Sequence, residues 1–303
     1  MRPLLALTGG SGFVGRHFAA AARQRGYRIR HLSRQCPGEQ GDEWRHLDLA
    51  AADTGTPDLK GCTVLIHLAA HIPANHQDPA EAVRCWQVNA LGTLHLVEAA
   101  IRDGVGRIMQ ASSANAYAPT VDPPDEAAPL FPRSRGYYLG SKIAQEIYAT
   151  ERCRAAGVML QTLRLGSVYG EGQQSGALGA MMRAASGGTI SVHGKGGFGS
   201  DLVSIADVVQ AMLLLLGSEE SGPFNIGSGM RTTIAELADL LARQTGAAVV
   251  HESATEEDWG FPPLNIDRLR GLGYCPAPLV DGLRGMLAGL EFSPAPYTNP
   301  LRC

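Results

Sequence analysis

The 303-residue chain is 45% hydrophobic and 18% charged, a composition that supplies a sizeable core and argues against a disordered protein. Its formal net charge is −3, and it lacks long basic or acidic blocks, so nothing in the charge pattern favours binding to nucleic acid. The apolar run Ala211–Leu216 is too short to span a bilayer, and the N-terminus lacks the apolar region and cleavage site of a signal peptide. We therefore expect a cytoplasmic protein with neither a membrane nor a nucleic-acid partner.

The cysteines give no sign of a structural framework. Six are scattered along the chain, and no two have the Cys-x-x-Cys spacing of many metal sites. This pattern favours unpaired thiols in a reducing cytoplasm and predicts no metal site. The six residues are Cys36, Cys62, Cys85, Cys153, Cys275 and Cys303.

The first half of the chain alternates short apolar runs with amphipathic stretches. In chain order we predict a strand at Leu4–Leu7, a helix at Phe13–Arg25, strands at Tyr27–Leu32, Trp44–Leu47 and Thr63–Leu68, a helix at Pro79–Asp103, a strand at Arg107–Ala111, a helix at Tyr138–Ala156 and a strand at Val158–Leu165. The nearly continuous apolar run at Thr63–Leu68 is typical of a parallel strand buried on both faces. The alternation predicts an α/β fold with a doubly wound parallel sheet, whose ligand lies beyond the carboxyl ends of the strands.

The pattern changes after Gly170. Glycines are frequent from Gly172 to Gly199, and helices are predicted at Ile205–Leu216, Ile234–Thr245 and Leu279–Leu290. We expect a dinucleotide-binding domain over residues 1–170 and a smaller, mixed α/β substrate-binding region over residues 171–303, with the chain returning to the first domain around 200–217. The proline-containing tail from Ser293 is expected to be irregular.

A glycine-rich turn follows the first strand. Gly9, Gly12 and Gly15 are spaced as Gly-x-x-Gly-x-x-Gly between a predicted strand and a predicted helix. In that context glycines permit a tight turn, close approach of backbone to a pyrophosphate, and close helix–strand packing. An ordinary glycine turn is the alternative. The predicted cofactor contacts of this segment are Thr8, Gly9, Gly12, Phe13, Val14 and Gly15.

The end of the second strand bears on which dinucleotide is bound. NAD-binding sites usually place an acidic residue here, to bind the ribose hydroxyls. This chain instead has Ser33, a hydrogen-bond donor, and Arg34, a planar cation suited to a phosphate. We predict NADP, with NAD as the alternative. Asp48 is a candidate acceptor for the adenine amino group, and capping is an equal alternative for it.

Tyr138 and Lys142 are four residues apart at the start of a predicted helix, which places them on one face. A lysine cation beside a phenol is expected to lower the phenol pKa, so that Tyr138 can exchange a proton with a substrate. Ser112 and Ser113 end the fifth strand, where a hydroxyl could bind the reacting oxygen; strand-end turn chemistry is the alternative.

These segments together resemble the extended short-chain dehydrogenase/reductase family, also described as the NAD-dependent epimerase/dehydratase family. The resemblance extends over roughly residues 1–290. Besides the glycine turn, Ser113 with Tyr117, and Tyr138 with Lys142, it involves five segments: His67–Ala70, Asn89–Thr93, Leu163–Gly170, Asp201–Val208 and Phe224–Gly227.

The resemblance implies a role for each matching residue. Tyr138 would be the general acid/base, Lys142 its electrostatic partner and a ribose ligand, and Ser113 the orienting hydroxyl. Ser113 is preferred to Ser112 because it keeps the family's distance to Tyr117. Asn89 would hold the central helix and the loop beside the cofactor. Further cofactor contacts are expected at Leu49, Leu68, Ala69, Ala70 and Leu165.

Extended members mostly act on nucleotide-diphosphate sugars. Ala114 and Asn115 follow Ser113, where the family's dehydratases usually carry acids, so dehydration is disfavoured. NADP suits net reduction, so we predict an oxidoreductase that reduces the keto group of a nucleotide-diphosphate 4-keto-6-deoxy sugar. The alternatives are an NAD-dependent nucleotide-sugar 4-epimerase, a reductase of a small non-nucleotide carbonyl, and a non-catalytic NADP-binding sensor.

The substrate contacts are less constrained by the pattern. Ser200 stands where many members have an arginine that contacts the substrate pyrophosphate, and a second arginine expected near Glu257–Gly260 is missing. Arg183 and Lys195 are candidate replacements, with solvated surface charge as the alternative. The predicted substrate residues are His71, Ser113, Asn115, Ser167, Arg183 and Lys195. Family members often dimerise through the helices that contain Asn89 and Tyr138, so a homodimer is expected.

Overall fold

The computed structural model describes residues 2–39, 41–51, 57–173, 177–252 and 260–289. The strands are β1 Leu4–Thr8, β2 Arg28–Ser33, β3 Glu43–His46, β4 Val64–His67, β5 Arg107–Ser113, β6 Met159–Leu165, β7 Ser167–Tyr169, β8 Thr189–His193, β9 Gly199–Ser204, β10 Gly222–Ile226, β11 Arg231–Thr233 and β12 Ala248–Glu252. The α-helices are α1 Phe13–Gln24, α2 Ala80–Cys85, α3 Gly92–Arg102, α4 Gly136–Ala156, α5 Ala177–Ser186, α6 Ile205–Leu216, α7 Ile234–Thr245, α8 Asp267–Arg270 and α9 Leu279–Gly289.

Seven of the described strands form one sheet, in the order β10-β6-β5-β4-β1-β2-β3. The pairs from β6 through to β3 are parallel. Every residue of β1 and β4 is buried, as expected for parallel strands covered by helices on both faces. The strand order reverses between β1 and β4, which is where sheets of this type bind ligands at their carboxyl edge. The predicted doubly wound fold is confirmed.

The long helix predicted at Pro79–Asp103 is correct in extent but not in kind. The segment runs as α2, then a π-helix over Trp86–Leu91, then α3. A π-turn inserts an extra residue into the helical repeat and often occurs at functional sites. Asn89 lies within this turn and is fully buried. Hydrophobic periodicity could not reveal the insertion, because one extra residue barely changes a pattern that is averaged over several helical turns.

The chain divides into two compact units. The first comprises residues 1–119, 126–165 and 211–225, and the second comprises 120–125, 166–210 and 226–303. The second unit contains a three-stranded sheet, β11-β9-β7, and a two-stranded sheet, β12-β8. Its core lies among α5, α7 and β8, around buried side chains such as Met182, Ile190 and Leu241. The predicted domain boundary at residue 170 stays a prediction.

The glycine turn is closely packed. A Cβ atom added to Gly15 would lie 2.0 Å from the carbonyl oxygen of Gly9, and one added to Gly9 would lie 2.6 Å from the backbone nitrogen of Ala69. Gly9 also has a φ of +70°, a conformation that residues with side chains disfavour. The turn therefore contacts both the start of α1 and the loop after β4.

His67, the last residue of β4, joins this turn to α3 through its imidazole ring. Nδ1 lies 2.7 Å from Oγ1 of Thr8, and Nε2 lies 2.8 Å from Oγ1 of Thr93. Since the Thr93 hydroxyl donates to the carbonyl of Asn89 at 2.6 Å, it must accept from Nε2–H of His67. In a neutral ring, Nδ1 is then the acceptor for the hydroxyl of Thr8. Of the two neutral tautomers, only the Nε2–H form satisfies both contacts.

The hydrogen-bonded string continues from Asn89 to the first turn of α4. The Asn89 amide donates to Oγ of Ser141 at 2.9 Å, and Ser141 donates to the carbonyl of Tyr138 at 2.7 Å. The Asn89 amide also donates to the carbonyl of His71, and its oxygen accepts from the His71 backbone N–H at 2.7 Å. The string of Thr8, His67, Thr93, Asn89 and Ser141 therefore ties the glycine-turn strand to the turn that contains Tyr138.

Cys36, Cys62, Cys85 and Cys153 are free thiols, in agreement with the sequence. Cys275 is disulfide-bonded, so the prediction of unpaired thiols is wrong for this residue. Sequence spacing could not reveal the bond, because a disulfide depends on how closely the fold brings two Cα atoms together. Cys303, Glu257 and the tail from Ser293 lie outside the described residues.

The packing of the glycine turn predicts the effect of one added methyl group. Gly15→Ala forces backbone apart at Gly9 and is expected to lower the free energy of unfolding by about 2 kcal/mol or more. Gly140→Ala is the matched control, because a Cβ there meets nothing within 4 Å, and helix propensity favours alanine by up to about 1 kcal/mol. Urea denaturation measures both. Equal stabilities of the two variants would contradict the account of the turn.

The neutral state of His67 predicts a pH dependence of stability. Burial, together with the nearby Lys142 cation, lowers the pKa of His67 from its usual 6.5 to about 3. The unfolded chain therefore binds a proton that the folded chain does not, and stability falls as pH drops from about 6.5 towards 3, by up to about 1.4 kcal/mol per pH unit. His67→Gln should flatten this slope between about pH 6 and 4, as measured by urea denaturation.

His193→Gln is the control for this experiment, because the His193 side chain is 87% exposed. It should keep the slope of the parent protein. A slope that His67→Gln leaves unchanged would show that the ring is not held neutral in the fold.

Candidate active site

The N-terminus of α1 is suited to a phosphate group. Gly12 is the N-cap residue and makes no side-chain capping bond, and the first turn contains no acidic residue. The free N–H groups of this turn carry the positive end of the helix dipole. The cation of Arg16 lies 5.4 Å from the ring of Phe13 beside this turn. The geometry is compatible with the pyrophosphate of a dinucleotide, whose binding here stays a prediction.

At the carboxyl end of β2, Ser33 and Arg34 differ in how they are engaged. The Ser33 hydroxyl donates to the carbonyl of Gln35 at 2.7 Å and accepts from the Trp44 indole at 3.2 Å. Arg34 is exposed and forms no ion pair within the described part of the chain. The expectation that Ser33 donates to a ligand therefore conflicts with its bond to Gln35, whereas the guanidinium of Arg34 is available to an anion.

The loops after β3 and β4 reach the same edge of the sheet. Asp48 accepts from the backbone N–H of Ala50 at 3.0 Å in a turn, and no described helix begins there, so the helix-capping alternative is not observed. The Leu49 carbonyl would lie 2.7 Å from a Cβ added to Gly92, so only glycine fits at the start of α3. Leu68, Ala69 and Ala70 are half-buried, and the Ala69 N–H donates to Oγ1 of Thr8 at 3.2 Å. The structure thus places the predicted cofactor-loop residues around the carboxyl ends of β1 and β4.

Ser113 lies at the end of β5 and begins a 3₁₀-helix over Ala114–Ala116. Its Oγ accepts from the backbone N–H of Asn115 at 3.3 Å, which leaves the hydroxyl proton free to donate. The neighbouring Ser112 is buried, and its Oγ has no hydrogen-bond partner among the described residues. Helix α4, which contains Tyr138 and Lys142, packs against the 3₁₀-helix and against β5, the strand that Ser113 ends.

The environment of Tyr138 differs from the prediction. Burial raises the pKa of its phenol to about 12, while the Arg135 cation opposes the rise. The prediction of a lowered phenol pKa is wrong for this structure, because burial is the largest influence on Tyr138. Arg135 precedes α4 with a φ of +56°, the only positive φ among the described non-glycine residues. The rings of Tyr138 and His76 lie 6.1 Å apart, and His76 Nδ1 is buried without a hydrogen-bond partner in the described residues.

Lys142 is buried beneath the site. Its Nζ donates to Oε1 of Gln145, and burial lowers its pKa from 10.5 to about 8 while Glu146 opposes the change. The same ammonium contributes to the lowered pKa of His67, which shows that the two groups are close enough to interact. The ammonium group of Lys142 therefore loses its proton near pH 8, and it lies one helical turn after Tyr138.

Two family-like segments support the 3₁₀-helix that follows Ser113. The phenol of Tyr117 donates to Oδ1 of Asn225 at 2.7 Å and accepts from Arg164 at 2.9 Å. Arg164 also forms a buried ion pair with Glu146 at 2.8 Å. In the second unit, Asp201 accepts from the backbone N–H groups of Ser228, Gly229 and Leu264. Asp201 thus joins two backbone segments of the second unit.

The predicted substrate residues are divided between the units. His71 and Asn115 belong to the first unit, and the His71 ring is paired with Glu81 of α2. Ser167, Arg183 and Lys195 belong to the second unit, where Arg183 and Lys195 are exposed. Leu165 ends β6 in the first unit and is half-buried. Their roles stay predictions.

Three residues near the site carry no sequence motif: His76, Arg135 and Gln145. His76 approaches Tyr138 and Gln145 bonds to β5 across the fold, which spacing along the chain does not record, whereas Arg135 acts on Tyr138 from three residues away. Within the described ranges, no group of three or more His, Cys, Asp or Glu could hold a metal ion. No described helix combines the length and hydropathy that crossing a bilayer requires.

The comparisons with known proteins agree with this geometry. The model of the NAD-dependent epimerase/dehydratase family matches residues 5–227. A GDP-6-deoxy-D-mannose reductase of Pseudomonas aeruginosa is 30% identical over 80% of this chain and 80% of its own length. A putative UDP-glucose 4-epimerase of Methanocaldococcus jannaschii is 28% identical over 90% of this chain and 93% of its own.

Among solved structures, the UDP-glucose 4-epimerase of Thermotoga maritima with UDP-glucose is similar, with a TM-score of 0.80 and 25% identity. The similarity covers 95% of this chain and 98% of that one. The resemblance inferred from the motifs is confirmed, and the chain belongs to the NAD-dependent epimerase/dehydratase family.

Proposed function

We propose that the protein is an NADP-dependent oxidoreductase that reduces the keto group of a nucleotide-diphosphate 4-keto-6-deoxy sugar. The observation that carries the proposal is the exposed Arg34 at the carboxyl end of β2, which forms no ion pair among the described residues and stands where NAD-dependent enzymes usually have an acid. A guanidinium matches the geometry and charge of a 2′-phosphate. The similarity to a protein named GDP-6-deoxy-D-mannose reductase supports the same class of substrate.

In this proposal the bound dinucleotide supplies a hydride to the carbonyl carbon of the substrate. Tyr138 donates its phenolic proton to the carbonyl oxygen, which becomes the alcohol. The Ser113 oxygen accepts from the backbone N–H of Asn115, which leaves its hydroxyl proton to donate a hydrogen bond to the carbonyl oxygen of the substrate. The Lys142 cation favours the phenolate that remains after proton transfer. Ala114 and Asn115 bring no carboxyl group next to Ser113, which disfavours dehydration.

A nucleotide-sugar 4-epimerase is the second candidate. It is favoured by the names of several similar proteins, which include UDP-glucose 4-epimerases. An epimerase oxidises and then reduces the same substrate, so it consumes no cofactor overall. The residues of the first unit serve either reaction, and the two differ in whether the dinucleotide is exchanged or retained.

We also propose a homodimer formed through α4 and the helical run that contains Asn89. Large apolar side chains are exposed on these helices, among them Val83, Trp86, Ile147 and Tyr148. Such side chains are costly to leave in water in a cluster and are typical of subunit contacts.

The choice of cofactor is tested by Arg34→Ala. We expect the dissociation constant of NADPH to rise roughly 10- to 100-fold, because a charge-assisted bond to the 2′-phosphate is lost, while that of NADH changes little. Fluorescence titration measures both. Arg25→Ala, another exposed arginine beyond the end of α1, should change neither. Equal losses for NADPH and NADH would mean that Arg34 does not contact a 2′-phosphate.

The reaction is tested by measuring how much NADPH is oxidised for each product molecule formed. With a panel of nucleotide-diphosphate 4-keto-6-deoxy sugars, the proposed reductase oxidises one NADPH for each alcohol formed. Interconversion of UDP-glucose and UDP-galactose without net cofactor consumption would establish the epimerase instead. Tyr138→Phe should lower kcat at least about 100-fold with NADPH affinity retained, because the proton donor is lost. Tyr137→Phe, its exposed neighbour, is the control.

A further inference from the structure

The amino group of Lys142 is held by one neutral side chain that no motif contains. Lys142 is 2% exposed, and its Nζ donates to Oε1 of Gln145, which is fully buried one turn further along α4. We propose that Gln145 is a positioning residue: its amide oxygen fixes Nζ of Lys142, and because the amide is neutral it leaves the positive charge free to act on Tyr138.

The orientation of the Gln145 amide follows from its other contacts. Its nitrogen donates to Oε1 of Gln110 at 3.0 Å and to the carbonyl of Ala111 at 3.2 Å, both on β5. Rotating the amide by half a turn would place its oxygen against two acceptors and its NH₂ against an ammonium group. The network therefore permits one orientation, with the oxygen facing Lys142.

Gln110 is itself fixed from β6. Its amide nitrogen donates to Oγ1 of Thr162 at 3.0 Å, and both residues are buried. The string Lys142, Gln145, Gln110 and Thr162 thus joins α4 to two neighbouring strands within the first unit. A buried polar string of this kind stabilises the fold only when each member is satisfied, so it selects one position for the lysine.

The use of a neutral acceptor has an electrostatic consequence. The groups that interact electrostatically with Lys142 are His67 of β4, which is held neutral, and Glu146 on its own helix, while Tyr138 lies one turn earlier on the same helix. The Glu146 carboxylate is engaged by Arg164 in a buried ion pair. An ammonium has three donors, and Gln145 occupies one of them without cancelling the charge. Two donors stay available to a bound ligand.

The consequence for catalysis rests on the proposed function, whereas the positioning can be measured without a substrate. The chain has three lysines, Lys60, Lys142 and Lys195, so lysine labelled with ¹³C gives few signals. Lys60→Arg and Lys195→Arg assign the signal of Lys142. The pH titration of its Cε resonance then reports the pKa of this one amino group.

We expect Gln145→Leu to lower the pKa of Lys142 by about one unit, because a buried cation loses its acceptor. Gln145→Glu should raise it by about one unit or more, because it places a carboxylate at the same position. Gln161→Met is the matched control, since Gln161 is fully buried on β6 and its amide donates to the carbonyls of Leu215 and Glu220, away from Lys142. If Gln145→Leu does not fold, Gln145→Glu decides, because it preserves shape.

A binding and rate measurement separates positioning from charge. Gln145→Leu should weaken NADPH binding roughly tenfold, because the lysine is no longer held in place. Gln145→Glu should keep NADPH affinity within about threefold but lower kcat roughly tenfold, because the carboxylate offsets the charge that acts on Tyr138. Gln161→Met should change neither.

A Lys142 titration that is the same in the parent protein, Gln145→Leu and Gln145→Glu would overturn the proposal. This result would leave the proposed reaction standing, because NADPH consumption is measured separately. Conversely, shifted titrations in a protein that reduces none of the keto sugars would support the positioning role and contradict the proposed reaction.

Discussion

One uncharged imidazole ring joins the parts of the first unit on which the candidate active site depends. His67 accepts from Thr8 beside the glycine turn and donates to Thr93, which is bonded to the carbonyl of Asn89. Protonation would turn Nδ1 into a donor and require the Thr8 hydroxyl to change from donor to acceptor in this contact. Because burial strongly disfavours the charged form of the ring, His67 stays neutral and keeps the same hydrogen bonds over the whole physiological pH range.

Two buried polar strings therefore meet near one charge. The string through His67 and Asn89 reaches the turn of Tyr138 from the side of β1 and β4, and the string through Gln145 reaches Lys142 from β5 and β6. Neither string contains a carboxylate that faces the ammonium directly. The Glu146 carboxylate interacts with Lys142 but is bonded to Arg164. A buried cation with no carboxylate bonded to it is costly to fold, and such cost is typical of functional sites, where a charge must be available to another group.

The sequence predicted those features that depend on local spacing. Alternating patterns placed six of the seven strands of the large sheet but not β10, the glycine spacing placed the glycine turn, and the four-residue interval placed Tyr138 and Lys142 one helical turn apart. The sequence could not predict the network that holds Lys142, because Gln145, Gln110 and Thr162 meet only after three elements pack together. The π-turn at Asn89 and the left-handed Arg135 are likewise local departures that average periodicity hides. In the second unit, short strands among many glycines left little pattern to interpret.

The state of the His67 ring tests the account most directly. Long-range ¹H–¹⁵N NMR distinguishes the tautomers of an imidazole, and His67→Gln assigns its signals among the nine histidines. The account predicts a neutral ring with hydrogen on Nε2 and a bare Nδ1, unchanged from pH 8 down to about pH 5. A ring that titrates with an ordinary histidine pKa, or that has its hydrogen on Nδ1, would contradict the string that links the glycine turn to α4.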